Sequence, residues 1–68
     1  MTFDMALAAL KTVSNNCYIS RKDNSLLKFR IRDNKFERKI GNGNWLLYGH
    51  SFTVDEVLAD DWEFFNEL

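Results

Sequence analysis

The fold of this chain is decided by the stretch LKFRIRDNKFERKI, residues Leu27–Ile40. Apolar and basic side chains alternate through its first six residues, which is the period-2 pattern of a strand with one buried face. Asp33 and Asn34 tolerate left-handed backbone angles and predict a two-residue turn that closes a hairpin. The hairpin register then sets opposite one another Arg32 and Lys35, Ile31 and Phe36, Arg30 and Glu37, and Leu27 and Ile40. One face of the hairpin is apolar. The other face is basic, and Glu37 is its only acidic side chain; its basic side chains are Lys28, Arg30, Arg32, Lys35 and Lys39.

The segments around this hairpin predict one helix and further strands. Thr2 is suited to cap a helix that ends near residues 11–13. Phe3, Leu7 and Leu10 lie at helical spacing along it. Residues 17–21 are rich in strand-forming types, and a turn is expected around Asp23 and Asn24. The glycines in residues 41–44 predict a second turn that leads into a strand over residues 44–48.

The closing segment combines a helix start with an aromatic strand. Thr53 and Glu56 have the spacing of a capping box, in which each side chain accepts a hydrogen bond from the backbone N–H of the other residue. A single helical turn follows, and Trp62 begins a final strand. These elements predict an α+β fold, with the N-terminal helix packed on a four- to five-stranded antiparallel sheet and a short helical turn before the last strand.

Sixty-eight residues predict a single domain, 1–68, whose core is small for its surface. One cysteine excludes an internal disulfide, and one histidine beside it is too few for a structural zinc site. We therefore expect self-association to a homo-oligomer to add to the small core. The ten aromatic residues agree with this, because their flat apolar faces can be buried between subunits. With no apolar run of membrane-spanning length and no signal-peptide pattern, we expect a cytoplasmic protein without membrane contact.

Charge is unevenly distributed along a chain whose net charge is only −1. Eight basic and three acidic side chains lie between Arg21 and Lys39, a net of +5, whereas six acidic and no basic side chains follow Thr53. This asymmetry fits head-to-tail self-association, an anion site on the basic part, or two solvated faces. The acidic end and the pI of about 5.7 argue against a long nucleic acid as partner, although basic residues near Tyr18, Trp45 and Tyr48 suit phosphates and bases.

No motif in the chain supports catalysis. Cys17 and His50 lie in no nucleophile motif, and a cysteine in a strand is usually a small buried apolar residue. Asp60 and Asp61 are adjacent, so their side chains diverge and are expected to end the helical turn and cap backbone donors. We therefore expect no enzyme activity, no cofactor and no metal site.

Three segments resemble the small phage proteins called Thoeris anti-defence type 2. Residues 3–11, FDMALAALK, are similar to the family's F-x-x-A-L-x-x-L-K helix, and residues 20–24, SRKDN, to its R-R-x-x-W segment. Residues 50–62, HSFTVDEVLADDW, are similar to its W-x-P-S-x-x-D-L-L-A-x-D-W ending. Asn24 and His50 stand where the family has tryptophans, and Phe52 where it has proline.

The resemblance implies a non-catalytic protein that sequesters a small cyclic nucleotide immune signal in the host bacterial cytoplasm. A subunit-interface site is then expected to be lined by Arg21, Lys22, Asn24, Trp45, His50 and Trp62. Arg21 would clamp a phosphate, and His50 could stack on a base or add a charge beside a phosphate. Trp62 is as well suited to the core as to a ligand. The alternative is an interaction module of the same fold that inhibits a host protein.

Overall fold

The computed structural model describes residues 1–12, 16–49 and 51–66, and it confirms the predicted α+β class. A five-stranded antiparallel sheet carries the longer helix on one face, and a short helix precedes the last strand. In chain order the elements are α1 (Phe3–Thr12), β1 (Cys17–Arg21), β2 (Asn24–Arg32), β3 (Lys35–Ile40), β4 (Leu46–Leu47), α2 (Val54–Leu58) and β5 (Trp62–Asn66). In the described parts of the chain, neither helix is long and apolar enough to cross a membrane.

The sheet has the strand order β4-β3-β2-β1-β5, so the hairpin and β1 occupy its centre. All of the predicted cross-strand pairs of the hairpin are confirmed. Asp33 and Asn34 have φ values of 53° and 63°, and two positive φ angles in a row are what a type I′ hairpin turn requires. Local chemistry alone therefore fixes the register at the centre of the sheet.

Two element boundaries differ from the expectation. Asn24 already pairs with Arg21, so the first turn lies at residues 22–23, one residue earlier than predicted. The strand expected over residues 44–48 is reduced to the two residues of β4, which pair with Glu37 and Arg38. The preceding turn explains this shortening: Gly41 adopts a left-handed φ of 57°, and the N–H of Gly43 donates to the carbonyl of Ile40, so the ladder starts late.

The core lies between α1 and one face of the sheet, which we call the helix face. Thr2 caps α1 as predicted, since its hydroxyl accepts from the N–H of Met5 at 3.3 Å. The helix buries Phe3, Ala6 and Leu10 against strand residues Cys17, Ile19, Phe29 and Trp62. Burial of Cys17 agrees with its interpretation as a small apolar residue. The segment between β4 and α2 covers the rest of this face, and the Phe52 ring lies about 5 Å from those of Phe3, Phe29 and Phe36.

The short helix α2 is held by its cap and by Trp62. Both hydrogen bonds of the predicted capping box are present, from Thr53 N to Glu56 Oε1 at 2.8 Å and from Glu56 N to Thr53 Oγ1 at 3.2 Å. The indole Nε1 of Trp62 donates to the carbonyl of Glu56 at 2.8 Å, and the Trp62 N–H donates to the carbonyl of Met1. Trp62 is only 1% exposed, so it belongs to the core and locks both termini of the fold together.

The opposite face of the sheet, which we call the open face, is covered by no helix in the part of the chain that the structure describes. Alternation along the paired strands places on it Tyr18, Ser20, Lys28, Arg30, Arg32, Lys35, Glu37, Lys39, Glu63 and Phe65. This is the basic face that the hairpin pattern predicted.

Candidate ligand-binding site

Three of the predicted site residues meet on the helix side of the sheet. Arg21, Asn24 and Trp62 line a cleft of about 40 Å³, whose other walls are Leu27, Phe29 and Glu56. A water molecule needs roughly 10–15 Å³ measured in this way, so the cleft has room for only a few waters. The cleft is too small for a nucleotide base.

The carboxylate of Asp61 forms an ion pair with the guanidinium of Arg21. Arg21 Nε donates to Asp61 Oδ1 at 2.8 Å, and Arg21 Nη2 donates to Oδ2 at 3.4 Å. These hydrogen bonds are the main cause that raises the pKa of Arg21 and lowers the pKa of Asp61, which also accepts from the backbone N–H of Asp23. The nearby carboxylates of Asp23 and Glu56 also raise the pKa of Arg21, so three carboxylates surround one guanidinium. The cleft is therefore poorly suited to an anion.

The remaining predicted residues lie elsewhere. The Lys22 side chain is exposed, and its backbone N–H donates to the carbonyl of Asp61 at 3.0 Å. Trp45 lies on the open face, opposite to Arg21 within one chain. His50 is outside the described residues, so its convergence with Arg21 stays a prediction. The capping role expected of the aspartate pair is seen for Asp61, which accepts from the N–H of Asp23.

A row of aromatic rings crosses the open face. Tyr18 and Phe65 are direct cross-strand partners, with ring centroids 5.1 Å apart and an interplanar angle of 20°. Trp45, which comes from the turn before β4, continues the row at 6.2 Å from Tyr18. All three rings remain at least partly open to solvent, unlike those of the core. A flat ligand can therefore reach them.

Trp45 is held in place by a buried guanidinium beneath it. The Cζ atom of Arg30 lies 4.3 Å from the Trp45 ring centroid, and Arg30 Nε donates to Glu37 Oε1 at 2.6 Å. Arg30 is only 9% exposed, so it supports the indole and is not itself offered to solvent. A cation stacked on a tryptophan contributes about 0.5–1 kcal/mol or more to holding the ring.

Two lysines flank the aromatic row on the same side. Lys28 Nζ lies 5.6 Å from the Tyr18 ring centroid, and Lys39 Nζ lies 5.8 Å from that of Trp45. These two lysines are direct cross-strand partners. Lys28 reaches the carbonyl of Gly41 at 3.5 Å, and neither lysine forms an ion pair with a carboxylate in residues 1–12, 16–49 and 51–66. We call Tyr18, Trp45, Phe65, Lys28 and Lys39 together the platform.

The charges on the open face of the hairpin are not arranged to stabilise the fold. Of its three open-face pairs, only Arg30–Glu37 is of opposite sign, whereas Lys28 faces Lys39 and Arg32 faces Lys35. Like charges directly opposite on neighbouring strands destabilise a sheet. Natural proteins break such local rules mainly at functional or strained sites. An anion bound between the paired cations would relieve the repulsion.

The sequence identified only part of this platform. The basic alternation and its neighbours Tyr18 and Trp45 were visible in the sequence, whereas Phe65 was not placed because its face depends on the parity of β5. Tyr48 was grouped with them, but the structure puts it on the helix face, against Phe29 and Phe52. Comparisons with protein-family models, curated proteins and solved structures find no match for this chain.

Proposed function

We propose that this protein binds a small nucleotide on the platform and sequesters it without chemical change. A single observation carries the proposal: three solvent-accessible rings lie beside two lysines that face each other without a carboxylate between them. A nucleotide combines a flat base with a compact negative charge, which is the complement of that arrangement.

The rings supply the contact for a base. Stacking of a base on an aromatic side chain contributes about 1–3 kcal/mol and tolerates every base, because each base has a π-face. Trp45 is preorganised for this role, since Arg30 and Glu37 fix its position from below. The indole does not need to be ordered when the ligand arrives, which lowers the entropic cost of binding.

The lysines supply the contact for a phosphate. Lys28 and Lys39 lie directly opposite each other on neighbouring strands, close enough to approach one phosphate together. Binding would replace the repulsion between the two ammonium groups with two attractions to the phosphate. Arg21 is the weaker candidate, because Asp61 holds its guanidinium in a two-point contact. We therefore expect the phosphate at the two lysines of the platform and not at Arg21, the residue that the resemblance implied.

The resemblance to Thoeris anti-defence type 2 proteins suggests a biological setting for such binding. A cyclic nucleotide immune signal is the ligand that we favour, and an infected bacterial cytoplasm is the place of action. Self-association would cover the exposed rings and exclude water from the bound ligand, which makes a homo-oligomer the form we expect to bind most tightly.

A second function, as a module that inhibits a host protein, rests on a different surface. Val54, Val57 and Leu58 lie on one side of α2, and their exposed fractions are 72%, 44% and 77%. An exposed apolar ridge of this kind is typical of a contact with another protein. Its loss in a Leu58→Asp variant would abolish binding to a protein partner and leave nucleotide binding on the platform unchanged.

Isothermal titration calorimetry with cyclic di-AMP and cyclic ADP-ribose tests the proposal. The double variant K28Q/K39Q is expected to weaken binding by at least about tenfold, since hydrogen bonds to charged groups contribute about 1.5–3 kcal/mol each. The control K11Q/R38Q removes two positive charges away from the platform and should keep the affinity of the natural protein. Equal losses in both variants, or no binding of either nucleotide by the natural protein, would contradict the proposal.

A further inference from the structure

We infer that the ligand of the open face carries two separate phosphates, one at each end of the hairpin, with a base held between them. This inference rests on the proposed function and names the ligand class: a dinucleotide whose phosphates are separated by sugars. It follows from a second cationic pair that the platform does not include.

That second pair lies at the turn end of the same face. Arg32 and Lys35 are direct cross-strand partners, and among the residues that the structure describes neither forms an ion pair with a carboxylate. Arg32 lies four positions after Lys28 along β2, which corresponds to about 13 Å between their Cα atoms. The side chains at both positions are long and flexible, so the two charged groups can approach ligands of somewhat different span.

The rung between the two pairs carries no free charge. Arg30 and Glu37 neutralise each other there at 2.6 Å, and the Trp45 ring lies over the guanidinium. The open face of the hairpin therefore reads, along the strands, as cation pair, flat ring, cation pair. A ligand complementary to this order has phosphate, base and phosphate in the same sequence.

This order separates two kinds of nucleotide. In a nucleoside diphosphate the two phosphates are contiguous, so such a ligand can engage only one of the two cationic pairs. The repulsion within the other pair remains. A cyclic dinucleotide, or a linear one with a terminal phosphate, has a sugar between its two phosphates and can engage both pairs at once. Electrostatic attraction then adds at two positions, and the dinucleotide is bound more tightly than the diphosphate.

The surface around the hairpin limits the ligand to a short one. The Cα atoms of the whole molecule extend only 24 × 23 × 21 Å, and Glu63 on β5 presents a carboxylate at the far side of the open face. The net charge of −1 gives no overall attraction for a polyanion. Two phosphates fit within the cationic part of the face, and a longer strand would run onto neutral or acidic surface.

Calorimetric titrations of four ligands against two double variants test the inference. The ligands are 5′-AMP, ADP, cyclic di-AMP and a ten-nucleotide oligo(A), and the variants are K28Q/K39Q and R32Q/K35Q. Cyclic di-AMP is expected to lose at least about tenfold in affinity in each variant. For 5′-AMP and ADP the loss is expected in K28Q/K39Q and not in R32Q/K35Q. The natural protein should bind oligo(A) no more tightly than cyclic di-AMP.

The outcomes separate the inference from the proposed function. If R32Q/K35Q binds cyclic di-AMP as tightly as the control K11Q/R38Q does, the two-phosphate ligand is wrong, while nucleotide binding on the platform stands. If oligo(A) binds much more tightly than cyclic di-AMP, the ligand is a polynucleotide and the inference is overturned. If the natural protein binds none of the four, the proposed function fails together with the inference. Circular dichroism of each variant confirms that it is folded before it is titrated.

Discussion

Trp62 and Trp45 lie on opposite faces of one five-stranded sheet, and their surroundings differ completely. Trp62 is 1% exposed, packs against Phe3 and Phe29, and donates its indole N–H to the carbonyl of Glu56. Trp45 is partly open to solvent, and its nearest charged neighbour is the guanidinium of Arg30. One tryptophan completes the core, and the other lies within a cationic surface.

The difference shows how a very small protein divides its aromatic residues. The helix face uses Phe3, Phe29, Phe52 and Trp62 to build a core under a single helix, because each buried aromatic side chain removes a large apolar area from water, which a short chain needs. The open face leaves Tyr18, Trp45 and Phe65 at least partly exposed to solvent beside lysines that form no ion pair among the described residues. Rings that are left uncovered in this way are available to a ligand.

The largest expected effect is the loss of stability when the buried tryptophan is removed. Trp62→Ala is expected to cost about 3–5 kcal/mol in the free energy of unfolding, as large-to-small core substitutions do. A domain of this length has roughly 3–10 kcal/mol in total, so much of the variant would be unfolded at 37 °C. Trp45→Ala should cost only about 1–2 kcal/mol, the loss of two cation–π contacts, with Arg30 and Lys39, and of one ring contact, with Tyr18. Urea denaturation followed by circular dichroism measures both values, and equal losses would contradict the assignment of the two faces.

A smaller effect of opposite sign is expected on the open face. K28Q/K39Q removes a like-charge cross-strand pair and, with it, two cation–π contacts close to the limit of about 6 Å, with Tyr18 and Trp45. We expect relief of the repulsion to outweigh these long contacts and to raise the free energy of unfolding by at most about 1 kcal/mol. The control K11Q/R38Q removes as much charge without removing such a pair and should show no gain. The same urea titrations at low salt measure the difference. A clear destabilisation by K28Q/K39Q would mean that the lysines serve the fold.

The smallest effect concerns the carboxylate beside the cleft. Because the pKa of Asp61 is lowered in the folded state, the contribution of Asp61 to stability is complete above its ordinary pKa of 3.8 and is lost as pH falls through the folded value. The midpoint of thermal unfolding should therefore be lower for Asp61→Asn than for the natural protein at pH 5–7. The gap should narrow as pH falls below 3.8, the ordinary pKa of the group, and Asp61 becomes protonated. A gap that is constant down to pH 2.5 would show that the Arg21–Asp61 contact has no such role.

Sequence reasoning succeeded where local chemistry decides structure. The alternation of Leu27–Ile40, the Asp33-Asn34 turn and the Thr53–Glu56 capping box each depend on neighbours within a few residues, and each is present as predicted. The site depends instead on contacts between distant parts of the chain. Arg21 meets Asp61 across forty residues, so nothing local showed that its guanidinium is occupied.

The faces of the tryptophans were also beyond local reasoning. Trp45 follows a turn with a left-handed Gly41 and precedes a strand of only two residues, so no long alternation fixes its direction. The parity of β5 relative to β1 decides that Trp62 points into the core and Phe65 out of it, and only the observed pairing sets that parity. The basic alternation was the one sequence feature that pointed to the open face.

The two tryptophans provide the most direct test of the central claim, that the open face binds a nucleotide. A ¹H–¹⁵N correlation spectrum shows one indole N–H signal for each of them, and the variant Trp45→Phe assigns the pair. On titration with cyclic di-AMP, the Trp45 signal is expected to move in a saturable way while the Trp62 signal, hydrogen-bonded to Glu56 inside the core, stays in place. A shift of Trp62 with Trp45 unchanged would place the ligand at the Arg21 cleft and contradict the account.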